Sequence, residues 1–286
     1  MFDVVPTEIS IRILCDAAEN DRAAGIALAQ TCKPAYSIVT PILFRRVAMT
    51  DYNITQVESV LRRADLASFI TELAIMMCEG EWNPGQKDFA HLSKLKAIHA
   101  PYKIVAIALS GLPPSARSSL GKLWFVTLES PFRRIPSTVS HLCLPPTMYF
   151  NEAPMSNIIQ QVIETLSVTH LACDFTSSDL YLSNLQPEYL VQSLCEIFEA
   201  VGDRIESVSI RFGGTLLEGG RWERFLEALR AGGEDNSRAA HWNHRIFLWR
   251  DERYFGDWFD EEMAALDDTL NGVDVWTEAR PLVEFL

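Results

Sequence analysis

Two short stretches, Val139-Ser140-His141-Leu142-Cys143-Leu144 and Val168-Thr169-His170-Leu171-Ala172-Cys173, decide the fold class. Both follow the pattern apolar-x-x-apolar-x-apolar. The last two apolar positions lie two residues apart, which is the strand period, so their side chains share one face and point into a core. The triplet recurs as Ile70/Leu73/Ile75, Leu95/Ile98/Ala100, Leu123/Val126/Leu128 and Ile205/Val208/Ile210. A degenerate last copy has Phe247 and Trp249 behind a polar His244. Helical runs lie between many copies, at Ser156 to Leu166, Glu188 to Val201, Trp222 to Arg230 and Asp257 to Leu270. Strands alternating with helices predict an α/β chain with parallel strands and right-handed crossovers. A strand pattern that keeps returning favours a repeat array over a doubly wound sheet, the alternative being a generic α/β domain. The centre-to-centre spacings of 25, 28, 16, 29, 37 and 39 residues make the array irregular.

Residues 1–50 read differently. Pro6-Thr7-Glu8 opens a helix with Ile9, Ile13, Leu14 and Ala17 at helical spacing. Asn20-Asp21 breaks it and caps a second segment carrying Ile26, Leu28, Ala29 and Cys32. Lys33-Pro34 interrupts, and a short helix around Tyr36 to Val39 runs into Pro41. A further amphipathic helix is expected over Ile54 to Ala64, with Val57, Val60 and Leu61 on one face.

The opening Val5-Pro6-Thr7-Glu8-Ile9, the pair Ile13-Leu14, the apolar run Ile26-Ala27-Leu28-Ala29-Gln30-Thr31-Cys32-Lys33 and the closing Pro41-Ile42-Leu43-Phe44-Arg45-Arg46-Val47 resemble an F-box of the fungal type. The remainder is similar in architecture to leucine-rich repeats, although the usual Asn after the strand is missing from most copies. Tyr36 stands near where the family often has Trp, and Asp16 to Gly25 is longer and more polar than the family's compact turn. The expected organisation is a helical F-box-like head over 1–50 and an irregular leucine-rich-repeat-like solenoid over 51–286. The resemblance implies a substrate receptor of a cullin-type ubiquitin ligase, with a Skp-family adaptor at the head and an unknown target protein at the repeats. Pro6, Ile9, Leu14 and Leu28 are the head positions it implies as adaptor-facing or head-forming.

Composition is that of an ordinary globular protein. Of 286 residues 48% are hydrophobic, enough for a sizeable core, and no stretch suggests a transmembrane helix or a signal peptide. The net charge is -13. From Asp251 onward eleven acidic residues face only Arg253 and Arg280. That balance argues against nucleic acid and anionic membrane as partners. The six cysteines contain no C-x-x-C pair and read as buried thiols of a reducing compartment, cytoplasmic or nuclear.

Residues flanking the inward triplet positions should point outward, and with Arg250 they make the expected target-binding face: Phe125, Glu129, His141, His170, Asp174, Arg211 and Arg250. Charge reversal at Arg211 and Arg250 is expected to leave the melting temperature nearly unchanged. His141 and His170 occupy one slot in consecutive copies and should approach each other across neighbouring strands, about 4.8 Å apart. With Asp174 they could suit a divalent metal, but a polar binding face accounts for them better. Asp260-Glu261-Glu262 with Asp267-Asp268 reads as the solvated side of a helix, and the Gly213 to Gly220 loop as a turn. Cys143 lies on the strand face of His141, about 6.5–7 Å along it and too far for a direct hydrogen bond. No catalytic residue, metal or cofactor is expected. The competing reading is a small-molecule-binding protein or enzyme whose concave strand face is lined by His99, His141, His170 and Asp174.

Overall fold

The computed structural model describes residues 6–76, 82–125, 136–144, 167–175, 204–213, 220–235, 243–253 and 270–285, with Val191, Leu217, Ala264, Asp267 and Asp268 between them. It is a mixed α/β protein with mostly parallel strands. Two compact units divide it: Met1–Lys96 with Ile107–Ser119, and Ala97–Ala106 with Leu120–Leu286.

The first unit begins with α1 (Thr7–Asn20), α2 (Arg22–Ala29) and α3 (Lys33–Leu43). Asp21 separates α1 from α2 and caps the latter, its carboxylate accepting from the Ala23 and Ala24 N–H groups at 2.8 and 3.1 Å. Pro34 sits in the first turn of α3, where a missing N–H leaves no hydrogen bond unmade. The helix expected over Tyr36 to Val39 is therefore longer at both ends, and Pro41 is carried in its last turn. Ala18, Val39 and Leu43 form the head core, with Leu14, Leu28, Ala29, Ile42 and Phe44 packed around it. Gly25 permits this close approach, since a Cβ there would stand 2.9 Å from Leu43 Cδ2 and 3.1 Å from Ala18 Cα.

The chain then enters β1 (Arg46–Met49), a strand that lies inside the head motif and outside the expected triplets. It pairs in parallel with β2 (Glu72–Ile75), Val47 opposite Leu73 and Met49 opposite Ile75. Between them run α4 (Ile54–Arg62) and α5 (Ala64–Ala67), with Val57, Leu61, Leu66 and Ala67 buried. Asn53 ties β1 to α4: its side chain accepts from Thr50 N–H and donates to the Ala48 carbonyl. The later part of this unit includes α7 (Pro114–Ser119), and the division between units falls within α6 (Tyr102–Gly111).

The second unit carries β3 (Ala97–Ala100), β4 (Lys122–Phe125), β5 (His141–Leu144), β6 (His170–Phe175), β7 (Ser207–Phe212) and β8 (Ile246–Arg250). Each pairs in parallel with the next, and β9 (Arg280–Pro281) adds antiparallel to β8. The register aligns Ile98, Leu123, Leu142, Leu171, Val208 and Ile246 in one row. All six are buried. The helix α8 (Arg221–Asp235) covers this face, with Trp222 and Phe225 against Phe212 at 5.4 and 4.5 Å.

That register corrects two copies of the triplet. In β4 the inward residues are Leu123 and Phe125, with Leu120 buried before them, so Phe125 belongs to the core and not to the outward face. In β8 they are Ile246 and Leu248, so Phe247 and Trp249 point the other way. Arg250 therefore lies on the α8 side, its guanidinium 5.8 Å from the Trp222 ring, and not in the row of Arg211. A slip of one residue moves every side chain to the opposite face. Neither strand betrays the slip, because Leu123-Trp124-Phe125-Val126 and Ile246-Phe247-Leu248-Trp249 are apolar at every position. Corrected, Leu73, Ile98 and Leu123 recur at an even 25-residue interval. Val126, Leu128, Glu129, the expected helices at Ser156 to Leu166 and Glu188 to Val201 (apart from Val191), and Asp260-Glu261-Glu262 lie outside the described residues.

Candidate functional site

On the strand face opposite the leucine row, three polar and aromatic rows cross the second unit. One contains Lys122, His141, His170 and Ser207; the next His99, Trp124, Cys143, Ala172, Ser209 and Phe247; the third Asp174, Arg211 and Trp249. His141 and His170 meet as expected, stacked at 4.2 Å and 9°. Each Nδ1 is held by the preceding hydroxyl, Ser140 Oγ at 2.9 Å and Thr169 Oγ1 at 2.8 Å. Burial, then the neighbouring His170 and Lys122, push the His141 imidazole down to about 4. His99 stacks on Trp124 at 4.4 Å, is 8% exposed and leaves Nδ1 without a hydrogen-bond partner. Burial, helped by the charge of Arg211, lowers it to about 3. Both imidazoles are neutral over the physiological range.

Arg211 is the centre of the third row and is 1% exposed. Its Nε and Nη2 donate to Asp251 at 3.1 and 2.6 Å, Nη1 to Asp174 at 3.2 Å, and Nη2 to Asp268 at 3.0 Å. Its guanidinium lies 4.1 Å from the Trp249 ring centroid. Arg253 closes the cluster by binding both Asp251 and Asp268. Burial raises the Asp251 carboxyl, but hydrogen bonds from Arg253 and the Arg211 charge outweigh it and hold the group below its ordinary value. Arg211 is thus a buried structural cation and not the exposed binding residue its strand position suggests. Asp174, the carboxylate nearest to a metal set with the histidines in the sequence reading, is committed to it. Among the described residues no three metal-ligating side chains converge. Cys143 is buried, and burial followed by the Asp174 charge drives its thiol well above the ordinary value, which makes it a poor nucleophile.

Asp268 and residues 274–276 of the acidic stretch pack on this face. The short helix α9 (Val275–Glu278) packs Val275 against Cys143 and Ala172, with Trp124, Trp249 and Trp276 around them. Trp276 stands edge-on to His141 at 5.2 Å and to Trp124 at 6.3 Å. Lys122 binds the Asp274 carboxylate and lies over the Trp276 ring. Asp268, read from the sequence as solvated, is 7% exposed. The amphipathic pattern could not show this, because its partners Arg211 and Arg253 lie 57 and 15 residues away.

The head presents a second, separate surface. Its α1 carries two apolar stripes, each an i,i+4 pair. Leu14 and Ala18 face the head core, whereas Ile9 and Ile13 are 48% and 58% exposed. Ile26 on α2 is 46% exposed, and Pro6 also faces solvent. Of the four head positions named from the sequence, Pro6 and Ile9 are therefore exposed, and Leu14 and Leu28 are half-buried against the core. Among the described residues no helix is long and apolar enough to cross a membrane. No family model and no curated protein matches the chain.

Proposed function

We propose that this chain is a protein-interaction module, a substrate receptor of a cullin-type ubiquitin ligase, with an F-box-like head that docks a Skp-family adaptor and a leucine-rich-repeat-like solenoid that holds a target protein. The observation that carries the reading is the exposed isoleucine set of the head. Ile9, Ile13 and Ile26 lie in the segments that resemble an F-box and remain outside its core. Large aliphatic side chains at helical spacing on one face are the anchors of helix-mediated recognition. The parallel strands with a repeated inward triplet support the solenoid part of the reading.

The test is binding of purified full-length chain to a Skp-family adaptor. Ile9→Asp with Ile13→Asp should weaken binding by about 30-fold or more, the effect of losing interface anchors. The melting temperature should stay near that of the parent, because neither side chain is in the core. A parent chain that ignores the adaptor at micromolar concentration would sink the ligase reading.

A further inference from the structure

We propose that the stretch from Lys87 to Lys96 on the first unit is a docking site for a carboxylate-rich segment of a partner protein. The inference goes beyond the reading of the head and of the strand face, and neither contributes a residue to it.

The distribution of charge along the chain points to this place. No Asp or Glu occurs over the 40 residues 89–128, in a chain whose 286 residues include 38 of them. Lys87, His91, Lys94 and Lys96 cluster where that run begins, and all four are exposed. Asp88, the one acidic residue among them, is buried and accepts from Arg62 Nε at 3.1 Å and from the Gly85 N–H at 2.8 Å. Arg12, Arg45, Arg46, Arg62 and Arg63 of the same unit each bind a carboxylate. The three lysines have no carboxylate partner among the described residues. They are the cations that remain once the ion pairs within this part of the fold have been made, and an outside carboxylate meets no internal competitor for them.

The backbone holds these side chains out. The Leu92 N–H donates to the Phe89 carbonyl at 3.2 Å and the Leu95 N–H to the Leu92 carbonyl at 3.4 Å. These successive turns bury Phe89, Leu92 and Leu95 and leave the residues between them in solvent. The Lys96 N–H is fixed by the Thr71 carbonyl at 2.7 Å, and hydroxyls of α7 hold the Ser93 and Leu95 carbonyls, Ser115 at 3.4 Å and Ser119 at 3.1 Å. The Lys94 ammonium lies 5.7 Å from the Phe69 ring centroid, so part of its freedom is lost before a partner arrives. The size of the patch names the occupant. An extended polyanion such as nucleic acid runs past these four residues into the field of a chain of net charge -13, which repels it. A short carboxylate-rich segment stays within the screening distance of the lysines, about 8–10 Å.

The test uses full-length chain and a fluorescent oligoglutamate peptide, read by anisotropy at about 50 mM salt, with oligoglutamine as control. The parent should bind oligoglutamate with a Kd below about 1 mM and ignore oligoglutamine. Lys87→Gln/Lys94→Gln/Lys96→Gln should weaken binding by about tenfold or more, the combined effect of three exposed ion pairs, with the melting temperature near that of the parent. Lys87→Arg/Lys94→Arg/Lys96→Arg should keep the affinity, because it keeps the charges. Arg12→Gln/Arg22→Gln/Lys33→Gln removes the same charge from the head and should change binding by no more than about twofold. A parent that does not bind oligoglutamate overturns the proposal. So does a head variant that loses as much as the patch variant, since only long-range charge is then at work, or an arginine variant that loses binding. Tighter binding of a single-stranded DNA oligonucleotide or of phosphatidylserine vesicles, abolished by the same three glutamines, overturns the choice of a protein segment. Adaptor binding at the head is a separate readout, so failure of the ligase reading leaves this result intact.

Discussion

Replacing Arg211 by Met tests the buried ion cluster directly. Met approximates the length of the stem and keeps contact with Trp249, but it removes the charge and all four guanidinium hydrogen bonds. Three carboxylates, Asp174, Asp251 and Asp268, then remain in a site from which water is largely excluded, with Arg253 facing two of them. Breaking a buried pair by deleting one partner costs about 3–5 kcal/mol, because the survivor is left charged and unmatched. A chain of two units need not unfold in a single step. The loss should therefore be read both by urea titration of the near-ultraviolet tryptophan signal and by hydrogen exchange at β6 and β7. Arg211→Met with Asp174→Asn should recover part of the loss, since one stranded charge has gone with its partner. This reverses the expectation from strand position alone, under which Arg211 is exposed and its charge is dispensable for stability. A loss under about 1 kcal/mol, the level of exposed ion pairs, would refute the burial argument.

Acidification below pH 6.5 should destabilise the second unit. His99 is held at about 3 in the folded state against 6.5 in the unfolded chain, so the unfolded state takes up the proton first and stability falls as pH drops below 6.5. His99 alone accounts for about 1.6 kcal/mol between pH 6.5 and 5, and His141, held at about 4, adds a similar amount over the same range. Urea midpoints across that range check it, and His99→Phe should remove about half of the dependence, leaving the part due to His141. In the first unit, Gly111→Ala should cost about 1–3 kcal/mol despite the helix preference for Ala, as overpacking against backbone does. Its Cβ would lie 2.1 Å from the Gln86 carbonyl oxygen, and a thermal melt reads the effect.

How far the sequence could be read depends on what each feature is made of. A triplet with polar residues between its apolar ones has a definite register, and Val139/Leu142 and Val168/Leu171 face the core as expected. Where both faces of a strand are apolar, as in β4 and β8, alternation says nothing, and Trp124 and Trp249 declare their side only once the neighbouring strands are in place. The same limit applies to α1. Its periodicity shows two apolar stripes but not which one the head uses as core; that choice is made by the methyl of Ala18 and the missing Cβ of Gly25, which let α3 approach. Charge is the least legible. The acidic run after Asp251 resembles a solvated tail in composition, yet Asp268 reaches Arg211 from 57 residues away and Asp274 reaches Lys122 from 152. No local period encodes such pairs. Asp174 and Arg211 could have been matched from the sequence, because a register that places Leu171 beside Val208 also places those two side by side. Opposite charges at paired positions on a face about to be covered attract one another before they attract a partner. A charged strand row is thus evidence for a binding surface only after the ion pairs it can form within itself have been subtracted.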